Sequence, residues 1–355
     1  MKRNFYRFPE MFKVVFVMVL SLLILNVSPI NAIAKSENKK ISWRMQTVDP
    51  PSLMGPKTTV KGFIERVEAM SGGQLGIKLF TAGQLVPTME ITDALEQGTI
   101  QIAYTSGVYY TGSIPEGALE LTSLPPMLLP TIEDAIQVYW YEGVDDIMRE
   151  AYAERGIYYL GSIFLGDPIT NWSKKPINKI ADYNGYKVRS FGYISKVLAE
   201  VGASPTLIPH EEVYSSLAQG VIDGSLTAGS YYERLKYFEV CSNYYLPGLI
   251  AIPSMSIMVS LDAWNKLPDN LKAILKEAQK TLAYDHYIRL HVAHERMLNN
   301  FDKLGTTLIR RTDAETEKLR EVSISMLEEV AKKSPKCKKG VQIIKNYMQK
   351  KGYLE

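Results

Sequence analysis

Short alternating runs and helical stripes of apolar residues follow one another along this chain. Ile41-Ser-Trp-Arg-Met45 reads as a first strand. Val60, Phe63, Ile64 and Val67 recur at helical spacing between Thr58 and Met70, and Gly72-Gly73 stops the pattern. From Gln74 to Phe80, Leu75, Ile77 and Leu79 alternate with polar neighbours, which predicts a second strand. Strand, helix and strand in recurring succession argue for an α/β fold.

The same pattern is written twice. Residues 85–110 align without gaps on residues 207–232, with eleven identical pairs. They include Pro87/Pro209, Gly98/Gly220, Thr105/Thr227, Gly107/Gly229, Tyr109/Tyr231 and Tyr110/Tyr232. Each copy predicts a Pro that opens a short helix, a Gly that ends it, a strand, and a Thr-x-Gly-x-Tyr-Tyr loop. Two copies are too few for a solenoid, so the repeat predicts two equivalent lobes facing each other. A weaker echo pairs Gly76-Ile-Lys-Leu-Phe80 with Gly185-Tyr-Lys-Val-Arg189. Its last position is Phe in one copy and Arg in the other, which predicts a cleft with one apolar and one cationic wall.

A long helix is expected from Asp269, near its N-cap, to about Lys303, with Leu271, Ile274, Leu275, Ala278, Leu282 and Ile288 as its apolar stripe. At ~1.5 Å per residue it would cross both lobes. Gly305 ends it, and Thr312 with Glu315 predicts a capping box on the next helix. The basic tail from Lys332 to Lys351 reads as a solvated helical surface.

The first 34 residues stand apart. Lys2, Arg3, Arg7 and Lys13 precede an apolar run from Val14 to Leu25, and Ala32-Ile33-Ala34 follows. This is the order of a cleaved secretory signal peptide, and the run is shorter than the ~20 residues that span a bilayer. The whole chain carries 41 basic and 38 acidic residues. Residues 1–34 hold four of the former and one of the latter, so the mature part has 37 of each. A neutral mature chain gives no support to nucleic-acid binding. Cys241 and Cys337 are the two cysteines, and spacing leaves open whether they pair. Export and sparse cysteine suit a bacterial periplasm.

Enzyme signatures are missing: there is no phosphate loop, nucleophile elbow or dinucleotide fingerprint. His286, His291 and His294 cluster, but their spacing matches no zinc helix, so a partly exposed helix surface is expected there. Arg189 stands at a strand end before the turn-prone Ser190-Phe191-Gly192. It could fork onto a carboxylate, which Lys cannot imitate, or form an ordinary surface ion pair. The Tyr-Tyr pairs could line a pocket or pack beneath the loops.

Taken in order, Phe80-Thr-Ala-Gly-Gln-Leu-Val-Pro87, Ala94-Leu-Glu-Gln-Gly98, Lys175-Pro176-Ile177, Gly185-Tyr-Lys-Val-Arg189, Gln219-Gly220-Val-Ile-Asp223-Gly224 and Trp264-Asn-Lys-Leu-Pro268 resemble the solute-binding proteins of tripartite ATP-independent periplasmic (TRAP) transporters, the DctP family. The resemblance covers nearly the whole mature chain and is nearest the 2-oxo acid and monocarboxylate binders. It implies two α/β lobes with a hinge and a spanning helix, closing on a ligand that is passed to TRAP membrane subunits. The expected division is 35–160 with about 250–270 for one lobe, and 161–249 with about 271–355 for the other.

The resemblance also implies that Arg189 binds the ligand carboxylate. Thr105, Thr227 and Asn171 are then candidate hydrogen-bonding residues, and Tyr109, Tyr231, Phe191 and Trp172 candidate walls. Asp167 is a candidate acceptor for a ligand hydroxyl or amine. Some members of that branch use a metal ion, but Leu226 and Thr227 stand here where those have an acid and a Trp, and a second acid is lost near Ala251. No metal or other cofactor is therefore expected, and the pocket should suit an aliphatic or aromatic monocarboxylate. Two further expectations are a homodimer through the C-terminal helices and, as the alternative role, a sensor that signals to a membrane receptor.

Overall fold

The computed structural model describes residues 40–53 and 58–354; the expected signal peptide lies outside them. Eleven strands form two sheets. They are β1 (Ile41–Thr47), β2 (Leu75–Phe80), β3 (Ile102–Thr105), β4 (Ile157–Phe164), β5 (Ile169–Ser173), β6 (Lys187–Arg189), β7 (Ser204–Thr206), β8 (Gly224–Ala228), β9 (Asn243–Leu246), β10 (Ser254–Ser260) and β11 (Thr307–Arg310). The first sheet has the order β2-β1-β3-β10-β4 and the second β11-β9-β5-β8-β6-β7. Each is mixed: β10 runs antiparallel to β3 and β4, and β5 antiparallel to β8 and β9. The expected α/β, two-lobed architecture is present, one sheet to each lobe.

The chain passes between the sheets at residues 165–168, at 247–253, and through the helix Asp269–Leu298. That helix has 30 residues, about 45 Å at 1.5 Å per residue. Pro268 is its N-cap and Asp269 its first residue, so the helix begins where the sequence suggested. Leu271, Leu275, Ala278 and Leu282 are buried as expected, but Ile288 is exposed. The stripe rotates because the helix changes partners along its length. Gln279 Nε2 donates to the Ser162 carbonyl of β4 (2.7 Å), whereas His294 Nε2 pairs with the Tyr244 hydroxyl of β9 (2.6 Å). His286 Nδ1 lies 3.3 Å from the Tyr104 hydroxyl of β3. His286 and His294 are thus buried lobe contacts, which corrects the expected exposed surface. Burial pushes both imidazoles down to about 4, so they stay neutral.

The repeat is a repeat of structure. Pro87 and Pro209 each precede a one-turn 3-10 helix, Thr88–Glu90 and His210–Glu212. The helices Ile91–Glu96 and Val213–Ala218 follow. Gly98 and Gly220 end them at φ +70° and +76°, where a side chain would be strained. The chain then enters β3 or β8, one in each sheet.

Other expectations need correction. Thr312 caps the helix Asp313–Ala331 by accepting from the Glu315 amide (3.2 Å), but the return bond of a capping box is not made there. Burial holds Glu315 back beside Arg311 instead. The basic tail forms the helix Pro335–Lys350, which buries Val341, Ile344 and Met348. Its Gly340 sits against Leu119, on the first sheet's side of the chain. Cys241 and Cys337 are both free and buried in separate apolar clusters.

Candidate functional site

A cavity of about 80 Å³ lies between the two sheets. A single water needs about 10–15 Å³ on the same scale, so the space suits a small organic molecule. Val48, Ser106, Tyr109 and Met255 line it from the first sheet's side, and Arg189, Phe191, Thr227 and Tyr231 from the second. Tyr109 and Tyr231 are equivalent positions of the repeat. Their neighbours behave otherwise: Tyr110 pairs with the Thr105 hydroxyl (2.6 Å), and Tyr232 stacks on Trp172 (3.7 Å between ring centres). In each Tyr-Tyr pair the first ring faces the cavity and the second is core.

Arg189 ends β6 and is 4 % exposed. Its Nε donates to the Ile208 carbonyl (3.1 Å) and Nη1 to the Leu226 carbonyl (2.8 Å), while the guanidinium lies 4.8 Å from the centre of the Phe191 ring. Among the described residues no carboxylate pairs with it. A buried guanidinium without a counter-ion costs several kcal/mol. A carboxylate entering the cavity would remove that cost through the donors left over.

Five of the nine expected residues line the cavity: Arg189, Phe191, Tyr109, Thr227 and Tyr231. Four do not. Thr105 is spent on Tyr110. Asn171 accepts from the Tyr186 hydroxyl (2.9 Å), and Trp172 lies in the second lobe's core between Tyr232 and Tyr244. Both faces of β5 are covered, so alternation along it could not tell core from cleft. Asp167 is fully buried, with Oδ2 accepting from the Ser230 amide (2.6 Å) and Oδ1 unpartnered.

Burial raises the Asp167 carboxyl to about 7. The folded state therefore holds a proton that the unfolded chain releases above about pH 4. The stability this gives is complete below pH 4 and is lost as pH rises through 7. Asp167→Asn should accordingly be neutral in chemical denaturation at pH 4. Near pH 7 it should be more stable than the parent by up to a few kcal/mol, at about 1.4 kcal/mol per unit. An advantage that shrinks with rising pH would contradict the assignment.

Sequence reasoning missed Asp49 and His210, which both line the cavity. Asp49 lies two residues beyond the end of β1, where ligand sites of α/β sheets gather, and that position was the available signal. His210 follows the repeat's Pro209 where the first copy has Thr88. Burial and the Arg189 charge push its imidazole down to about 3, and its Nε2 has no partner. It is a neutral hydrogen-bonding group beside the guanidinium. Among the described residues, no group of three or more His, Cys, Asp or Glu side chains is placed to hold a metal ion.

With this geometry in view, the comparisons with known proteins decide the family. Residues 50–334 match the model of DctP, the bacterial extracellular solute-binding proteins of family 7. The chain belongs to that family. It is 30% identical, over 82% of its own length and 80% of the relative's, to a monocarboxylate 2-oxoacid-binding periplasmic protein of Nostoc sp. (strain PCC 7120). A TRAP periplasmic solute-binding protein of Pseudoalteromonas atlantica, solved with sodium and pyruvate, superposes with a TM-score of 0.79 at 28% identity, covering 88% of this chain and 95% of that one. One of Colwellia psychrerythraea, solved with calcium and pyruvate, gives 0.79 at 27%, covering 89% and 96%. The family is one of binding receptors, not of catalysts. No helix among the described residues is long and apolar enough to cross a membrane.

Proposed function

We propose that this protein captures a small organic monocarboxylate between its lobes in the periplasm and delivers it to the membrane subunits of a TRAP transporter. The observation that carries the reading is the buried, unpaired Arg189 in the inter-lobe cavity. The lobes of this reading are 35–160 with about 250–270, and 161–249 with the chain from about 271, the last helix reaching back to the first. Closure of the two on the ligand would give the membrane partner a loaded shape to recognise. Val48, Leu165, Ile169 and Met255 make much of the remaining wall apolar, which favours a short aliphatic chain over a sugar acid.

The pyruvate-bound relatives hold calcium or sodium, but this cavity does not fit such an ion. Among the described residues Asp49 is the one carboxylate that lines it, with Leu226 and Thr227 where the resemblance implies an acid and a Trp, and calcium takes six to eight oxygens. The reading is tested by melting the exported protein with a panel of two- to six-carbon carboxylates, with and without potassium EDTA, in sodium-free buffer. A ligand at 100 times its Kd should add about 2.7 kcal/mol of stability, and EDTA should not reduce it. Binding of neutral sugars or alcohols in preference to every carboxylate would sink the reading.

A further inference from the structure

Two side chains lining the cavity bear groups of opposite charge type: the Arg189 guanidinium on the second sheet's side and the Asp49 carboxyl on the first sheet's. Burial raises that carboxyl to about 6 against the opposing pull of Arg234, so it is mostly ionised at neutral pH. The backbone of Asp49 is clamped from both sides. Its amide donates to Thr47 Oγ1 (3.0 Å) and its carbonyl accepts from the Ala82 amide (3.0 Å). Its carboxylate makes no hydrogen bond and no ion pair among the described residues. Arg234 is near enough to act on it electrostatically, but Arg234 Nη2 is committed to the Leu53 carbonyl (2.6 Å). The cavity therefore presents a cation without a counter-ion and a carboxylate that no side chain hydrogen-bonds, with only the Arg234 charge nearby. They stand across a mostly apolar space where the effective dielectric is low and each charge counts.

We propose that Asp49 is the second recognition group of this site and that the ligand is a small zwitterion, its carboxylate on Arg189 and its protonated amine on Asp49. A plain carboxylic acid answers Arg189 alone. A 2-oxo acid does worse, because its carbonyl oxygen brings a partial negative charge to a cavity that already holds an unpaired carboxylate. Asp49 thus selects twice, by attracting an ammonium and by repelling an acceptor. The neutral His210 and the Tyr109 and Tyr231 rings add no charge that would answer Asp49.

This inference rests on the carboxylate-binding reading and is tested so that the two can fail separately. Affinities are measured by calorimetry for alanine and β-alanine against propionate, for 4-aminobutyrate against butyrate, and for pyruvate, each with and without potassium EDTA and with sodium present or replaced by potassium. At least one amino acid should bind at least tenfold more tightly than its amine-free counterpart and than pyruvate. Asp49→Asn, nearly the same size, should erase that preference by weakening amino-acid binding at least tenfold, while propionate and butyrate, freed from a repelling carboxylate, bind at least as tightly as before. That retained binding also shows that the variant is folded, and Asp49→Ser serves if it is not. Equal binding of amino acids and plain acids, an unaltered preference in Asp49→Asn, or binding that requires calcium or sodium would overturn the zwitterion and leave carboxylate capture standing. Failure of every carboxylate, with or without an amine, would overturn both.

Discussion

Replacing Arg189 with alanine should cost about 2–5 kcal/mol of carboxylate binding, roughly 30- to 5,000-fold in Kd, while the empty protein melts nearly where the parent does. The two effects separate because the guanidinium plays different parts in the two states. In the empty protein it is a buried charge held by two carbonyls, Ile208 and Leu226, and stacked near Phe191. Deleting it loses those contacts but also removes the cost of keeping an ion out of water without a partner. With ligand bound the charge is answered, so deletion strands the ligand's carboxylate in a dry cavity. Arg189→Lys should recover little of the loss. An ammonium cannot reach two carbonyls and a carboxylate from one planar fork. Titration calorimetry and thermal melting on the same samples provide the check. A variant that melts far below the parent while binding normally would show Arg189 to be structural.

Asp49 and Arg189 together bear on how ligands of this protein should be compared. A relative that shares 30% of its sequence is named for 2-oxo acids, and similarity at that level shows the family and the fold. The second charge in the cavity lies on a different lobe from Arg189 and on a stretch, just past β1, that carries no part of the sequence repeat. If Asp49 takes an ammonium, family likeness and ligand class are decided by different residues, and a panel of 2-oxo acids alone would miss the amino-bearing compounds.

The repeat was the most legible feature of the fold. Pro, helix, Gly and strand obey local rules, so identical residues at an offset of 122 announced identical local structure, and Tyr109 and Tyr231 face the cavity together. Arg189 was singled out by the family resemblance, since its place at a strand end before a turn fits an ordinary surface ion pair as well. Trp172 and Asn171 were not, because β5 is buried on both faces and its alternation carries no label for the cleft. Asp167 failed differently: it lies in the crossing between sheets, and its carboxylate turns to the Ser230 amide. The partners of the long helix were also hidden. His286 and His294 look like surface residues until Tyr104 and Tyr244, from strands of opposite lobes, are brought against them.

The tightest approach of a glycine to another backbone segment among the described residues sits at the first crossing between the sheets, and it sets the second large expectation. A methyl group on Gly166 would lie 2.0 Å from the Tyr287 carbonyl oxygen and 2.9 Å from His291 Cβ, both on the long helix. Neither can yield cheaply, since that carbonyl belongs to the backbone of a 30-residue helix anchored in both lobes. Gly166→Ala should therefore push residues 165–168 away from the helix and cost at least about 1–3 kcal/mol of stability, the range for overpacking a tight interior. Ligand affinity should fall as well, because Leu165 and Ile169 flank the crossing and line the cavity. Gly112 is the matched control, with nothing within 4 Å of an added methyl, and Gly112→Ala should stay within about 0.5 kcal/mol of the parent. Urea denaturation gives the stability term and calorimetry the affinity term. If Gly166→Ala matched Gly112→Ala in both, the crossing would have slack, and lobe movement would not depend on its contact with the helix.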